Sequence, residues 1–233
     1  MSKAKVPVRR PLVIPEDDLS ELPEPWRRRP WIPLLISGIV IAAIVASGLA
    51  ISDALKSPTP TALASCKTST QVGPYTFIGP QPICILPEKT YQATVNTTQG
   101  AIVIQLYPQI APVTVNNFIV LALNGYYNGM HWKTEDWVAQ NGDPLGNGRG
   151  GPGYTLPNEP NTTPNWGVGA VGMARAIGSP VNGSQFFIQR GTWPGQGPTT
   201  VYNRFGTVIK GIAAAQLLTG PTDRITSITI QVG

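Results

Sequence analysis

The chain has 233 residues, of which 17 are basic and 12 acidic, for a formal charge of +5, and 42% are hydrophobic. That size suits one medium domain with appendages. A single histidine, His131, excludes a histidine-based metal cluster or a paired-histidine acid/base centre, and no basic stripe interleaved with aromatics argues for a nucleic-acid partner.

Residues 1–29 are rich in Pro and charge without a sustained apolar period, which predicts a disordered tail. From Pro30 to Ser52 no residue is charged, and the run from Trp31 to Ala46 is dense in Ile and Val. Residues 30–52 therefore read as a transmembrane helix. Arg27, Arg28 and Arg29 precede it and Asp53 follows, so the cationic bias puts the N-terminus in the cytoplasm and the remainder outside. A cleaved signal peptide is the alternative, with 46–50 as a small-residue cleavage region. Glu16, Asp17, Asp18, Glu21 and Glu24 make the leading segment long and acidic for that purpose and favour a single-pass anchor.

Residues 53–89 form an extracytoplasmic linker that begins with the extended stretch 57–61, Ser-Pro-Thr-Pro-Thr. Cys66 and Cys84 are the only cysteines, and in an oxidising compartment two such residues predict a disulfide that staples a small collar. Leu63-Ala64-Ser65-Cys66 has the look of a lipid-acceptor motif, but Asp53, Lys56, Pro58 and Pro60 separate it from the apolar run that such a signal must adjoin.

The main domain, 90–233, starts with two β-branched runs, 91–95 and 101–106, around Thr97-Thr98-Gln99-Gly100, which predicts a hairpin. Pro112 suits the first turn of a helix, and Val113, Phe118, Ile119 and Ala122 recur near helical spacing before Asn124-Gly125 ends it. Further strands are expected at 137–140, 169–174, 185–189, 203–210 and 225–232, with a short helix around 213–218. Many strands and two helices suit a closed antiparallel barrel. Gly146-Asn147-Gly148-Arg149-Gly150-Gly151 matches a dinucleotide fingerprint in spacing only. That fingerprint must open a helix, and Pro152-Gly153 follows here, so the segment reads as a turn-rich loop.

Four ordered segments carry a family resemblance. They are 100–118, from Gly-Ala-Ile-Val-Ile-Gln-Leu-Tyr to Asn-Asn-Phe; Gln140-Asn141-Gly142-Asp143-Pro144 running into Gly150-Gly151-Pro152-Gly153-Tyr154; Met173-Ala174-Arg175; and Asn182-Gly183-Ser184-Gln185-Phe186-Phe187-Ile188. Together they resemble the cyclophilin family of peptidyl-prolyl isomerases, with bacterial-like features such as Arg175. The resemblance implies a mainly β, closed eight-stranded barrel capped by two helices, isomerisation of Xaa-Pro bonds, proline-containing polypeptides as partners, and no cofactor or metal.

Carried over residue by residue, Phe187 is the expected floor of a proline pocket and Trp137 and Val138 its walls. Gln140, Ala174 and Gln185 are expected to bind peptide backbone, with Arg175 beside them. Tyr202 is the expected rim, and Pro198 falls where a pocket Leu is usual. Phe186, Ile188 and Phe205 read as core. The departure is at the catalytic cation: the family usually carries Arg before the Gln-Gly-Gly-Asp motif, whereas this chain reads Met130-His131-Trp132-Lys133-Thr134-Glu135-Asp136-Trp137. An ungapped count back from Gln140 puts Trp132 at the Arg position, and one deleted residue puts Lys133 there. Lysine carries the charge without the planar fork of arginine. Two readings follow: an isomerase of reduced activity, or a module that holds proline segments with little turnover.

Overall fold

Strand periodicity builds most of the molecule. In the computed structural model, which describes residues 61–159, 165–194 and 201–233, strands β3 (Tyr91–Thr97) and β4 (Gly100–Leu106) bury alternate side chains. Their register sets Ala93 against Ile104 and Val95 against Ile102, so one face of the hairpin is apolar until Thr97 at the turn. All described residues belong to one compact unit, Ser57–Gly233.

Two short strands precede this hairpin, β1 (Gln71–Gly73) and β2 (Thr76–Phe77), paired with each other. After it come helix α1 (Pro112–Leu123), β5 (Lys133–Glu135), β6 (Val138–Asn141), β7 (Thr155–Leu156), β8 (Ala170–Met173), β9 (Val181–Asn182), β10 (Phe186–Gln189), β11 (Arg204–Lys210), helix α2 (Ile212–Leu217) and β12 (Ile225–Val232). Eight strands form one antiparallel sheet in the order β12-β3-β4-β11-β8-β10-β6-β5.

The sheet is a curled half-barrel, which corrects the closed barrel expected from sequence. Strands β12 and β5 are its two edges. Among the described residues the chain segments leading into them are joined by an isolated bridge between His131 and Arg224, with the Trp132 N–H on the Asp223 carbonyl, the Ile225 N–H on the Met130 carbonyl and the Gly129 N–H on the Ile225 carbonyl beside it. The reason is local: β5 has three residues, and a 3-10 turn at Gly220–Thr222 with Pro221 inside it holds the chain out of extended geometry just before β12. No ladder can run along that seam.

Helix α1 starts at a proline, as the sequence predicts, but Ala111 at its N-cap supplies no side-chain acceptor. The Glu159 carboxylate fills that role from a distant loop, accepting the Val113 and Thr114 N–H groups at 2.8 Å each. Nearly every residue of α1 is buried, including Asn116 and Asn117. Their partners explain why. The Asn116 carboxamide accepts from the Cys84 N–H at 2.8 Å and donates to the Pro82 carbonyl at 3.0 Å. Asn117 donates to the Gly183 carbonyl and accepts from the Tyr154 hydroxyl at 2.6 Å.

The stapled segment is thus built into the fold. Cys66 and Cys84 are disulfide-bonded, and Leu63, Cys66, Phe77 and Ile85 join the main apolar core. Gln81 donates to the Tyr154 hydroxyl, and the Phe77 N–H bonds the Pro152 carbonyl. Burial pushes the Tyr126 hydroxyl, which packs against Tyr75 and Phe77, up to about 12.

Among the described residues no helix is long and apolar enough to cross a membrane. The transmembrane segment expected at 30–52, the tail at 1–29 and the linker to residue 60 lie outside the described residues.

Candidate active site

Strand β10 divides its side chains between two cores. Phe186 and Ile188 enter the main core, where Phe186 packs edge-on against Phe118, Tyr127 and Trp132. Phe187 points the other way and, 3% exposed, anchors a second cluster with Val138 and Ala174. Trp137, Trp166, Trp193 and Tyr202 pack around it. The Tyr202 ring meets Phe187 edge-on at 5.2 Å, Trp193 lies at 6.1 Å, and Trp166 stacks on it at 5.5 Å with only 18° between planes.

Above Phe187 opens a cavity of about 110 Å³. That is well below the few hundred Å³ of a site for a drug-sized ligand, so it suits a single small ring. Its lining brings together Lys133, Trp137, Val138, Gln140, Ala174, Arg175, Phe187 and Tyr202 from the predicted set, and adds Glu135 and Trp193. Pro198 lies outside the described residues.

Backbone pairing decides which residue faces this cavity. Lys133 sits directly opposite Gln140 in the β5–β6 ladder, and Phe187 opposite Gln140 in the β6–β10 ladder. The three side chains therefore share one face of the sheet. Trp132, one residue earlier, falls on the other face: it is 2% exposed, packs on Phe186 and is absent from the cavity wall. The ungapped count that puts Trp132 at the Arg position, and with it in the proline pocket, is therefore corrected, because a one-residue step along extended chain reverses the side chain. Arg190 and Gly191 hold the turn after β5. The Arg190 guanidinium donates to the Glu135 carbonyl at 2.9 Å, and the Arg190 and Gly191 N–H groups both reach the Trp137 carbonyl.

The polar groups at the mouth are oriented in advance. Gln140 donates its Nε2 to the Gln185 Oε1 at 2.7 Å, and Gln185 donates its own Nε2 to the Gly150 carbonyl at 2.6 Å. This relay leaves the Gln140 Oε1 as an available acceptor at the cavity wall. Gln185 itself is buried behind Gln140 and acts on it rather than lining the cavity. Ala174 contributes wall but not its amide, because its N–H is taken by the Gln185 carbonyl.

Arg175 donates from Nη1 to Asn158 at 2.8 Å and to the Val201 carbonyl at 3.3 Å. Lys133 is exposed at the opposite side of the mouth. Burial raises the Tyr202 hydroxyl above its ordinary value, with Arg175 pulling the other way, so Tyr202 stays a neutral donor in the physiological range. His131 lies on the seam and outside this cavity. Gly146 and Gly148 adopt positive φ in a loop that no helix follows, so the 146–151 segment is a turn-rich loop. Among the described residues no cluster of His, Cys, Asp or Glu could hold a metal ion.

A family model for cyclophilin type peptidyl-prolyl cis-trans isomerases matches residues 92–232. The chain belongs to the cyclophilin family. A peptidyl-prolyl cis-trans isomerase of Helicobacter pylori is 43% identical over 103 residues, a match spanning 43% of this chain and 63% of that protein. Isomerase B of Bacillus subtilis is 42% identical over 115 residues, covering 48% of this chain and 78% of the relative. The mouse isomerase-like 1 protein is 40% identical over 136 residues, or 54% of this chain and 80% of that one. Among solved structures, a Cryptosporidium parvum cyclophilin crystallised in the presence of the dipeptide Ala-Pro is 28% identical with a TM-score of 0.51, covering 60% of this chain and 98% of that one.

Relative to that family core, Trp166, Trp193 and Glu135 are what the sequence reading missed. Trp166 and Trp193 come from loops without periodicity, and their only signal was that isolated tryptophans beside Gly and Pro seldom lack a packing reason.

Proposed function

We propose that this chain catalyses cis-trans isomerisation of Xaa-Pro bonds in the cavity above Phe187, with Lys133 as the catalytic cation. The observation that carries this is the cross-strand placement of Lys133 and Gln140 on the face that Phe187 floors. The reaction breaks no bond; it must defeat amide resonance, a barrier of about 18–20 kcal/mol. The proline ring rests on Phe187 between Trp137, Val138, Trp193 and Tyr202, which strips water from the amide. The Gln140 Oε1 takes a backbone N–H and holds the chain while the bond turns. The Lys133 ammonium stabilises the twisted, pyramidal prolyl nitrogen over the planar one, and selectivity for that form is what lowers the barrier. Because lysine lacks a rigid fork, turnover is reduced relative to an arginine at the same place.

The test is the cis-to-trans rate of a short Xaa-Pro peptide with the full chain. Lys133→Ala should abolish turnover while sparing peptide affinity, Lys133→Arg should raise it, and Phe187→Ala should damage both. Unchanged turnover in Lys133→Ala would remove Lys133 from the mechanism. A second reading, a module that holds proline segments, draws on Arg175, whose guanidinium is tethered to Asn158 and to the Val201 carbonyl rather than standing in for the missing arginine. Saturable peptide binding without turnover in the wild-type chain would establish it.

We further propose a single-pass anchor at 30–52 with the cyclophilin domain outside the cytoplasm. Support comes from the uncharged run of residues 30–52, the Arg27-Arg28-Arg29 flank and a disulfide of the kind that persists in oxidising compartments. Protease added to intact cells should remove the cyclophilin domain and spare the tail; the converse pattern refutes the orientation.

A further inference from the structure

We infer that Trp166 is a positioning residue for the proline pocket, setting the plane of Phe187 from outside the cavity lining. This rests on the isomerase reading but concerns a residue that lines no part of the cavity.

The geometry is a three-layer stack. Trp166 lies against Phe187 with ring centroids 5.5 Å apart and 18° between planes, and the Arg204 guanidinium carbon lies 5.7 Å from the Trp166 ring centre on a buried side chain. Arg204 is itself held, donating to the Asn165 carbonyl and to the Thr207 hydroxyl. Trp166 also meets Trp193 and Tyr202, each at 5.9 Å. It is thus the common neighbour of three aromatic groups that form the pocket.

Gly172 makes the stack possible. It faces Phe187 in the β8–β10 ladder, and a Cβ there would come within 2.6 Å of the Trp166 ring and 2.9 Å of the Phe187 ring. Both approaches are closer than real Cβ contacts tolerate, so the glycine vacates the space that the two rings occupy. A phenylalanine floor can otherwise swing about its side-chain torsions. Stacking a large ring against it removes that freedom before substrate arrives, which is how a supporting shell gives a site its precision.

The experiment compares the full-length wild type with Trp166→Ala, Trp166→Phe and Gly172→Ala. For each, calorimetric affinity for an Ala-Pro-containing tetrapeptide, kcat and KM for its isomerisation, and the melting temperature are measured. Trp166→Ala should weaken affinity about threefold to tenfold, the range an aromatic pair supports, and lower kcat/KM at least as much. Trp166→Phe should restore most of the loss. Gly172→Ala, with Trp166 still present, should reproduce the kinetic defect by driving the two rings apart.

Folded Trp166→Ala protein with wild-type affinity, kcat and KM and only a lowered melting temperature would reduce Trp166 to ordinary packing and overturn the inference. Normal kinetics in Gly172→Ala would do the same. If the wild type binds peptide without turnover, the isomerase reading fails and the affinity series alone decides the inference. If it neither binds nor turns over, both fall.

Discussion

Removing the disulfide tests whether the collar stabilises the fold or merely decorates it. The perturbation is the double substitution Cys66→Ser and Cys84→Ser. The two cysteines are 18 residues apart in sequence, and closing a loop of that size lowers the entropy of the unfolded chain enough to stabilise the native state by about 3 kcal/mol. For a unit of this size each kcal/mol moves the melting temperature about 2–4 °C, so the double variant should melt roughly 6–12 °C lower. The collar sits on α1 through Asn116 and on the Pro152 loop through Phe77, and none of its residues lines the cavity over Phe187. Turnover at 25 °C should therefore survive in the variant. Thermal and urea unfolding of the full chain, with and without reductant, give the measurement. A wild-type midpoint indifferent to reductant, or a variant that keeps its melting temperature but loses turnover, would refute the reasoning.

Two further predictions concern the seam and the helix. Asp223 accepts from the Thr98 hydroxyl, the Gln99 side chain and both the N–H and hydroxyl of Thr219, and these bonds, the Thr98 one foremost, lower its carboxyl from an ordinary 3.8 to about 2. A folded value below the unfolded one means that the stabilisation is complete above pH 3.8 and is lost as pH falls toward 2. Asp223→Asn should consequently be less stable than wild type near neutrality, with the gap closing across that acid window; a gap independent of pH in denaturant titrations would count against it. Glu159→Ala removes the acceptor for two N–H groups at the start of α1 and should cost about 1–2 kcal/mol, read as a shifted urea midpoint with an unchanged slope.

Much of the fold was written locally. The alternation in β3 and β4, the proline that opens α1 and the β-branched run of β12 each express a period of two or 3.6, and such periods survive in sequence because every residue reports its own face. The Gln140 and Gln185-Phe186-Phe187 segments were readable for the same reason: strand alternation separates Phe187 from Phe186 without any knowledge of what either one touches.

Tertiary structure decided the rest. Lys133-Thr134-Glu135 is short and polar, so nothing in it marks a strand; only pairing with β6 makes Lys133, and not Trp132, the neighbour of Gln140. The barrel stayed open because three residues and a 3-10 turn cannot carry a ladder across the seam, a fact of register between strands some ninety residues apart. The collar found its role through Asn116 and Asn117, polar residues on a helix face that looked indifferent until Cys84, Pro82, Gly183 and Tyr154 arrived to satisfy them. Sequence by itself determined the long strands, α1, the family and the alternation that separates Phe187 from Phe186, since those depend on neighbours along the chain. Which cation stands beside Gln140 at the cavity, and which tryptophans pack around Phe187, depends on groups distant in sequence converging on a single cavity, and only the folded chain brings them there.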